Sequence, residues 1–169
     1  IVSYLFEKCT GLEEITIPDT VTFIGGAAFS ECAELRKVSI ADSVTEIGSS
    51  AFSDCPKLTD INIPDSVTEI GGNAFSNCAN LSQVSLSKKL TCIRSNAFYN
   101  CDSLTEIEIP KSLQSVGMAN YIYSGPFSNC DGLKNIKFEE GTTQIVSYLF
   151  EKCTGLEEIT IPDTVTFIG

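Results

Sequence analysis

The segment LTDINIPDSVTEIGGNAFSNC, residues 58–78, holds the pattern that decides the fold. Its alternation INI at residues 61–63 is typical of a β-strand with one buried and one solvent-facing side. Pro64 ends that strand, because proline has no N–H to donate to a ladder. A second apolar pair, Val67 and Ile70, leads into two turn-forming glycines. The NAFSNC piece that follows has room for only one helical or 3₁₀ turn.

The same pattern recurs along the whole chain, and cysteine marks its period. Seven cysteines are spaced 23, 23, 23, 23, 29 and 23 residues apart. They are Cys9, Cys32, Cys55, Cys78, Cys101, Cys130 and Cys153. Each is followed three residues later by Leu, then by the alternating apolar pair, and each is preceded by a Phe. A unit of this size cannot bury its own apolar face, so neighbouring units must stack into a repeat solenoid.

We predict a single solenoid over residues 1–169, with about seven coils of 23 residues. One coil carries a six-residue insertion near residues 118–126. Because the alternation returns at a fixed period, the strands that begin near Leu12 and its equivalents should form one parallel sheet on the concave side.

The frame L-x-x-I-x-I-P…V-x-x-I-G-x-x-A-F-x-x-C resembles the BspA-like leucine-rich repeats of bacterial and protist surface proteins. The resemblance covers the whole chain. It implies a right-handed coil with a parallel β-sheet on the concave side and short strands, turns or 3₁₀ segments on the convex side. The chain departs from ordinary leucine-rich repeats where Ser or Thr replaces the usual Asn after the strand, at Thr20, Ser43, Ser66, Ser112 and Thr164. The backbone carbonyls there must be satisfied in another way.

An identical string of 25 letters forms residues 1–25 and residues 145–169. The offset of 144 equals the sum of the cysteine spacings, so both copies lie in phase on one array. Either a block of six coils is repeated in tandem, or one coil was copied into a second place. Both explanations predict a piece of a longer array. Neither end carries a polar capping coil, which predicts end-to-end self-association through the uncapped ends.

Composition excludes several classes of function. The chain has 11 Lys and Arg against 22 Asp and Glu, a net charge of −11, so we expect no nucleic acid partner. It has no histidine, which removes the usual general base, the common nucleophile pairs and the commonest zinc ligand. No apolar run approaches the roughly 20 residues needed to cross a bilayer, so no direct membrane insertion is expected. We predict no enzyme, no cofactor and no metal.

The cysteine column allows three interpretations. Metal sites favour thiols paired at C-x-x-C spacing, which the chain lacks. Adjacent coils would bring cysteines within disulfide reach, but seven in one column cannot all pair. We therefore predict small, buried, free thiols that pack as hydrophobic residues. Cys92 stands outside the column at a mostly polar position, which predicts an exposed thiol without a partner that could activate it.

The outward positions of the strands are predicted to form a binding surface on the concave side. Its candidate partner-binding residues are Lys37, Asp60, Glu106, Glu108 and Lys137. This face lacks the Trp, Tyr and Arg that dominate binding hot spots, so an ordinary solvated face is the competing interpretation.

The insertion is the second candidate surface. It reads GMANYIYSGPF from Gly117 to Phe127, where other coils have a pattern like GGNAF. Tyr121, Ile122 and Tyr123 give it the amphipathic aromatic bulk that is enriched in interfaces. Solenoid insertions often form functional loops on one face, but a loop folded over the neighbouring coil is an equal alternative.

The resemblance implies a non-enzymatic recognition module, secreted or on the cell surface, that binds host, matrix or neighbouring-cell proteins. Two alternatives remain open. One is a passive spacer that presents another domain, and it would tolerate charge swaps over both candidate surfaces. The other is an accessory domain of an extracellular enzyme, which would need a pocket of convergent polar groups.

Overall fold

The computed structural model describes residues 1–117 and 124–169. These residues form thirteen short strands and no helix. The strands are β1 (Glu14–Ile17), β2 (Phe23–Ile24), β3 (Lys37–Ile40), β4 (Glu46–Ile47), β5 (Asp60–Asn62), β6 (Glu69–Ile70), β7 (Gln83–Ser85), β8 (Cys92–Arg94), β9 (Glu106–Ile109), β10 (Ser115–Gly117), β11 (Asn135–Phe138), β12 (Gln144–Ile145) and β13 (Phe167–Ile168). Every strand pair is parallel, which confirms the predicted repeat solenoid.

The two strands of each coil build two different faces. The second strands of the first five coils form a five-stranded sheet in the order β10-β8-β6-β4-β2, and those of the last two coils pair separately as β12-β13. The first strands pair only as β1-β3, β5-β7 and β9-β11, so the prediction of one continuous sheet from these strands is wrong in that detail. The coils lie close together on the side of the second strands, where a Cβ on Gly48 or Gly71 would collide with the backbone of the preceding coil.

The core is a set of columns that run from coil to coil. Six consecutive phenylalanine pairs stack with ring centroids 5.0–5.7 Å apart. The rings of Phe29 and Phe52 are almost parallel, with an interplanar angle of 3°. Such pairs contribute roughly 0.5–1.5 kcal/mol each beyond the area they bury. Stacking continues from Phe98 to Phe127, across the coil that holds the insertion.

The cysteine column is buried as predicted from Cys32 to Cys153, whereas Cys9 in the first coil is exposed. These buried thiols do more than pack. Each donates a hydrogen bond to the carbonyl of the Phe in the preceding coil, with Sγ–O distances of 3.1–3.3 Å. Burial raises the pKa of Cys78 and of Cys130 to about 12, because water no longer solvates the thiolate.

The segment before each cysteine of the column is a turn, which agrees with the predicted short strands, turns or 3₁₀ segments on the convex side. Most of these segments hold two residues with positive φ, for example Asn73 at 56° and Asn77 at 59°, whereas the segment before Cys130 holds one, Asn129 at 59°. The N–H groups of Asn73, Phe75 and Asn77 donate to the next coil over 3.1, 2.7 and 2.8 Å. The residues with positive φ therefore orient every second N–H group of this segment along the solenoid axis. Each of these N–H groups donates to a carbonyl oxygen of the next coil.

Three of the five Ser and Thr residues that replace the usual Asn bond a carbonyl themselves, whereas the buried Ser66 Oγ has no hydrogen-bond partner. Ser43 Oγ donates to Val21 O over 2.7 Å, Ser112 Oγ to Leu90 O over 2.7 Å, and Thr164 Oγ1 to Thr142 O over 2.6 Å. In each case a short hydroxyl side chain bonds the preceding coil.

Gly117 and Gly125, on either side of the insertion, both bond consecutive residues of the preceding coil. The N–H of Ser95 donates to Gly117 O over 3.0 Å, and the N–H of the next residue, Asn96, donates to Gly125 O over 3.1 Å. The backbone ladder therefore resumes at Gly125 in register. A Cβ on Gly125 would overlap the carbonyl oxygen of Tyr148. Tyr121, Ile122 and Tyr123 lie outside the described residues.

Candidate recognition surface

The exposed residues of the first strands form what we call the long-strand face. Their side chains alternate with buried ones such as Val38, Ile61 and Ile107, because successive residues of a strand point to opposite sides. The residues of the long-strand face are Glu14, Thr16, Lys37, Ser39, Asp60, Asn62, Gln83, Ser85, Glu106, Glu108, Asn135 and Lys137. All five strand residues selected from the sequence therefore lie exposed on one face.

Three of the five come together on the β9-β11 pair. Lys137 is opposite Glu108 in the register, and its Nζ lies 2.8 Å from Glu106 Oε2. The two paired side chains are 61% and 51% exposed, so their ion pair contributes at most about 1 kcal/mol. Lys37 and Asp60 lie apart from this group, on β3 and β5, where they occupy the coil position of Glu106.

A cleft of about 280 Å³ opens where β7 and β9 do not pair. Its charged lining consists of Lys88, Glu106, Glu108 and Glu139. The Glu139 carboxylate is held in place, because Oε2 accepts a hydrogen bond of 3.0 Å from the N–H of Lys111.

Lys88 and Glu139 are not among the candidate partner-binding residues selected from the sequence, although the sequence favours such departures from the repeat as the place of this chain's own specificity. Both break the repeat pattern. Lys88 stands where the two preceding coils have Asp, and Glu139 stands in place of the corner proline. The loss of the consensus residue at these two positions is the feature of the sequence that could have identified them as site residues.

The surface is suited to ion pairs and hydrogen bonds. None of the described His, Cys, Asp and Glu residues forms a group that could hold a metal ion. Glu34 lies outside the cleft, and the pKa of its carboxyl group is lowered chiefly by a hydrogen bond from Lys57 Nζ.

Cys92 lies on β8 in the five-stranded sheet and is half-buried, more than the sequence predicted. The neighbouring Arg94 explains part of this cover. Its Nε donates to Glu69 Oε1 over 2.5 Å, which lays the side chain along the sheet close to Gly117 and Cys92.

Comparison with known families agrees with the coil geometry. A profile of the BspA type Leucine rich repeat region, in six copies, matches residues 1–124 and 118–169. The chain belongs to the BspA-type leucine-rich repeat family. Membership accounts for the frame of Leu, Ile, Phe and Cys, and it agrees with the parallel solenoid.

Several solved structures resemble this BspA-type chain. The T. pallidum leucine rich repeat protein TpLRR is 30% identical with a TM-score of 0.81, and the match covers 99% of this chain and 77% of that protein. A leucine rich cell surface protein of Faecalibacterium prausnitzii A2-165 is 31% identical with a TM-score of 0.56 over 99% of this chain. The chain spans about half of that protein, 52%.

A leucine-rich repeat protein of Bacteroides capillosus is 34% identical with a TM-score of 0.52, and the match covers 79% of this chain and 81% of that protein. A search of the curated proteins found no match to this chain. Over residues 1–117 and 124–169, the BspA-type coils include no helix with the length and apolar character of a membrane span.

Proposed function

We propose that this BspA-type solenoid is a non-enzymatic recognition module, secreted or on the cell surface, that binds a protein. The long-strand face carries the proposal. One position along it reads Glu14, Lys37, Asp60, Gln83 and Glu106 in successive coils. The buried position beside it is Ile or Val in every coil. Side chains that vary on a constant buried frame provide a surface with its own charge pattern, as solenoid binding faces do.

The charge of this face favours a basic protein surface as partner. Three of the four charged residues that line the cleft between β7 and β9 are acidic, Glu106, Glu108 and Glu139, against Lys88, and the chain as a whole carries a net charge of −11. Opposite charges across an interface accelerate association and select the partner. The name of the Faecalibacterium relative, a cell surface protein, supports an extracellular location. Adhesion to host, matrix or neighbouring-cell proteins fits both features.

The test is a binding measurement with immobilised chain against a panel of extracellular matrix and cell-surface proteins. The variant Glu106→Lys with Glu108→Lys should weaken binding about tenfold or more, and raised salt should weaken wild-type binding. The control is Glu46→Lys with Asp102→Lys, which changes the net charge equally at positions outside the long-strand face. It should bind like the wild type.

Two outcomes would contradict the proposal. Equal loss in both double variants would show an effect of net charge without a specific face. Absence of binding to the panel would favour a passive spacer. An accessory domain of an enzyme would instead show itself by changing the activity of a catalytic domain added to it.

A further inference from the structure

The open space between β7 and β9 continues along both strands. Next to the cleft lies a hollow of about 510 Å³, and Val84, Ser85 and Glu106 line both. The other residues that line the hollow are uncharged and polar: Ser82, Gln83, Thr105 and Asn135. We call the cleft and the hollow together the β7-β9 groove. On the β7 side it follows residues 82–86, a length of about 16 Å for extended chain.

The β7 side of the groove presents apolar surface in the middle of the repeat. Val84 and Leu86 line the cleft and are partly exposed. The residues at the same two positions in the coils before and after are buried, at 1–3% exposure: Ile61, Ile63, Ile107 and Ile109. The fourth coil therefore offers apolar contact area that its two neighbours do not offer.

Two of the four charged side chains that line the cleft already have a partner of opposite charge. Glu106 pairs with Lys137 over 2.8 Å, and Glu139 Oε1 lies 3.4 Å from Lys111 Nζ. The other two, Lys88 and Glu108, are exposed and form no ion pair within residues 1–117 and 124–169. The cleft thus keeps one cation and one carboxylate available for a partner.

These two available charges stand on opposite sides of the groove. Lys88 follows β7 in the fourth coil, and Glu108 lies on β9 in the fifth. Successive side chains of an extended chain point to opposite sides. An extended segment that runs along the groove therefore directs two adjacent residues at the two sides, one toward each charge.

We propose that the β7-β9 groove anchors an extended segment of a partner protein in which a basic residue stands next to an acidic residue. The basic side chain pairs with Glu108, the acidic side chain pairs with Lys88, and the segment covers Val84 and Leu86. The polar hollow accepts the main chain beyond this pair of residues. This anchor rests on the proposed recognition function and specifies the chemistry of the partner.

The experiment is an NMR titration of the ¹⁵N-labelled chain in low salt with four capped tetrapeptides. Their sequences are Ser-Arg-Glu-Ser, Ser-Arg-Gln-Ser, Ser-Gln-Glu-Ser and Ser-Gln-Gln-Ser, and their extended length of about 13 Å fits the groove. The peptide with both charges should bind most tightly and should shift the amide signals of residues 82–88 and 105–110. Loss of either charge should weaken binding about threefold to fivefold, as expected for one exposed ion pair.

Variants assign each charge of the peptide to its partner in the groove. Lys88→Gln should bind Ser-Arg-Glu-Ser and Ser-Arg-Gln-Ser equally, because the acidic residue has lost its partner. Glu108→Gln should bind Ser-Arg-Glu-Ser and Ser-Gln-Glu-Ser equally for the same reason. The matched controls are Lys89→Gln and Glu46→Gln, which remove the same charges at positions that do not line the cleft. Both controls should keep the wild-type order of the four peptides.

Equal binding of all four peptides, or an effect of Lys89→Gln as large as that of Lys88→Gln, would overturn the anchor. So would shifts that lie mainly outside the groove. These results are separate from the test of the recognition function. A matrix or cell-surface protein whose affinity is unchanged in Lys88→Gln and in Glu108→Gln would support recognition and overturn this anchor. Peptide binding in the groove together with no binding to the protein panel would support the anchor alone.

Discussion

The thiol of Cys78 donates a hydrogen bond to the carbonyl oxygen of Phe52 in the preceding coil, with Sγ and O 3.2 Å apart. Both residues are fully buried. The same bond recurs in six coils, so the cysteine column joins neighbouring coils as well as filling space between them. Loss of one thiol leaves a carbonyl lone pair without its partner and a small void.

We expect Cys78→Ala to destabilise the chain by about 1–3 kcal/mol, since it removes a buried donor and the packing of its sulfur. For a domain of this size the melting temperature should fall by about 2–4 °C per kcal/mol. Cys92→Ala is the control, because that thiol is half-buried and outside the column. Equal shifts in the two variants, measured by calorimetry, would show that the cross-coil bond contributes nothing.

Alkaline pH should destabilise the solenoid through the same column. Burial raises the pKa of Cys78 and Cys130 to about 12, whereas an unfolded thiol titrates near 8.5. The stabilisation is therefore fully present below the unfolded value and is lost as pH rises toward the folded value. At about pH 10 each such thiol should cost about 1–2 kcal/mol.

The measurement is the melting temperature between about pH 7 and pH 10, for the wild type and for Cys78→Ala with Cys130→Ala. The double variant should lose less stability over this range. If its decline parallels that of the wild type, the titration of Cys78 and Cys130 does not cause the alkaline effect.

Removal of residues 118–123 should leave a folded solenoid with an unchanged or slightly higher melting temperature. The deletion keeps Ser124 and restores the regular spacing of 23 residues between Cys101 and Cys130. The ends of the insertion already accept hydrogen bonds from consecutive residues, Ser95 and Asn96. A marked loss of stability would instead show that the insertion covers a neighbouring coil.

Gly125→Ala tests how the chain packs on the next coil at the point where the repeat resumes after the insertion. A Cβ there would overlap the carbonyl oxygen of Tyr148, so the sixth coil would have to shift. We expect destabilisation of about 1–3 kcal/mol, as for an overpacked core site. Gly11→Ala is the control, because an added Cβ there meets no atom within 4 Å.

The turn positions with positive φ should respond to side-chain type. Ser50 has φ of 56°, and its equivalents in the next two coils are Asn73 and Asn96 at 56° and 59°. Asn tolerates this conformation better than Ser, and a β-branched residue tolerates it poorly. Ser50→Asn should raise the melting temperature slightly, whereas Ser50→Val should lower it by several degrees. If Ser50→Val melted at a higher temperature than Ser50→Asn, backbone conformation would not be the cause of the difference.

The buried columns were predictable because the period of 23 residues fixes which letters face inward. Phe75, Leu81 and Ile61 occupy core positions for that reason, and all three are buried. The direction of the cysteine hydrogen bonds was not predictable, since it depends on how one coil is offset from the next. The exposed strand residues, such as Glu106 and Lys137, were placed on the correct face, but their ion pair required the register of β9 and β11.

The identical strings show the limit of sequence reasoning. Ile15 lies in β1, which pairs with β3, whereas its copy Ile159 is 40% exposed and lies in no strand. The strand predicted after Leu156 is therefore wrong, because strand formation needs a neighbouring coil on the open side. The cleft was missed for a similar reason, since it arises from an interruption of pairing between β7 and β9.

The cross-coil hydrogen bonds also determine how the molecule would respond to tension. Bonds such as those from Asn77 to Asp54 and from Asn100 to Asn77 join residues 23 apart, so each coil is attached only to its neighbours. A pull on the two ends should detach the outermost coils one after another, and each coil of 23 residues should release about 80 Å of extended chain. A single-molecule force–extension trace should show evenly spaced steps. One step, from the coil with the insertion, should be longer by about 20 Å.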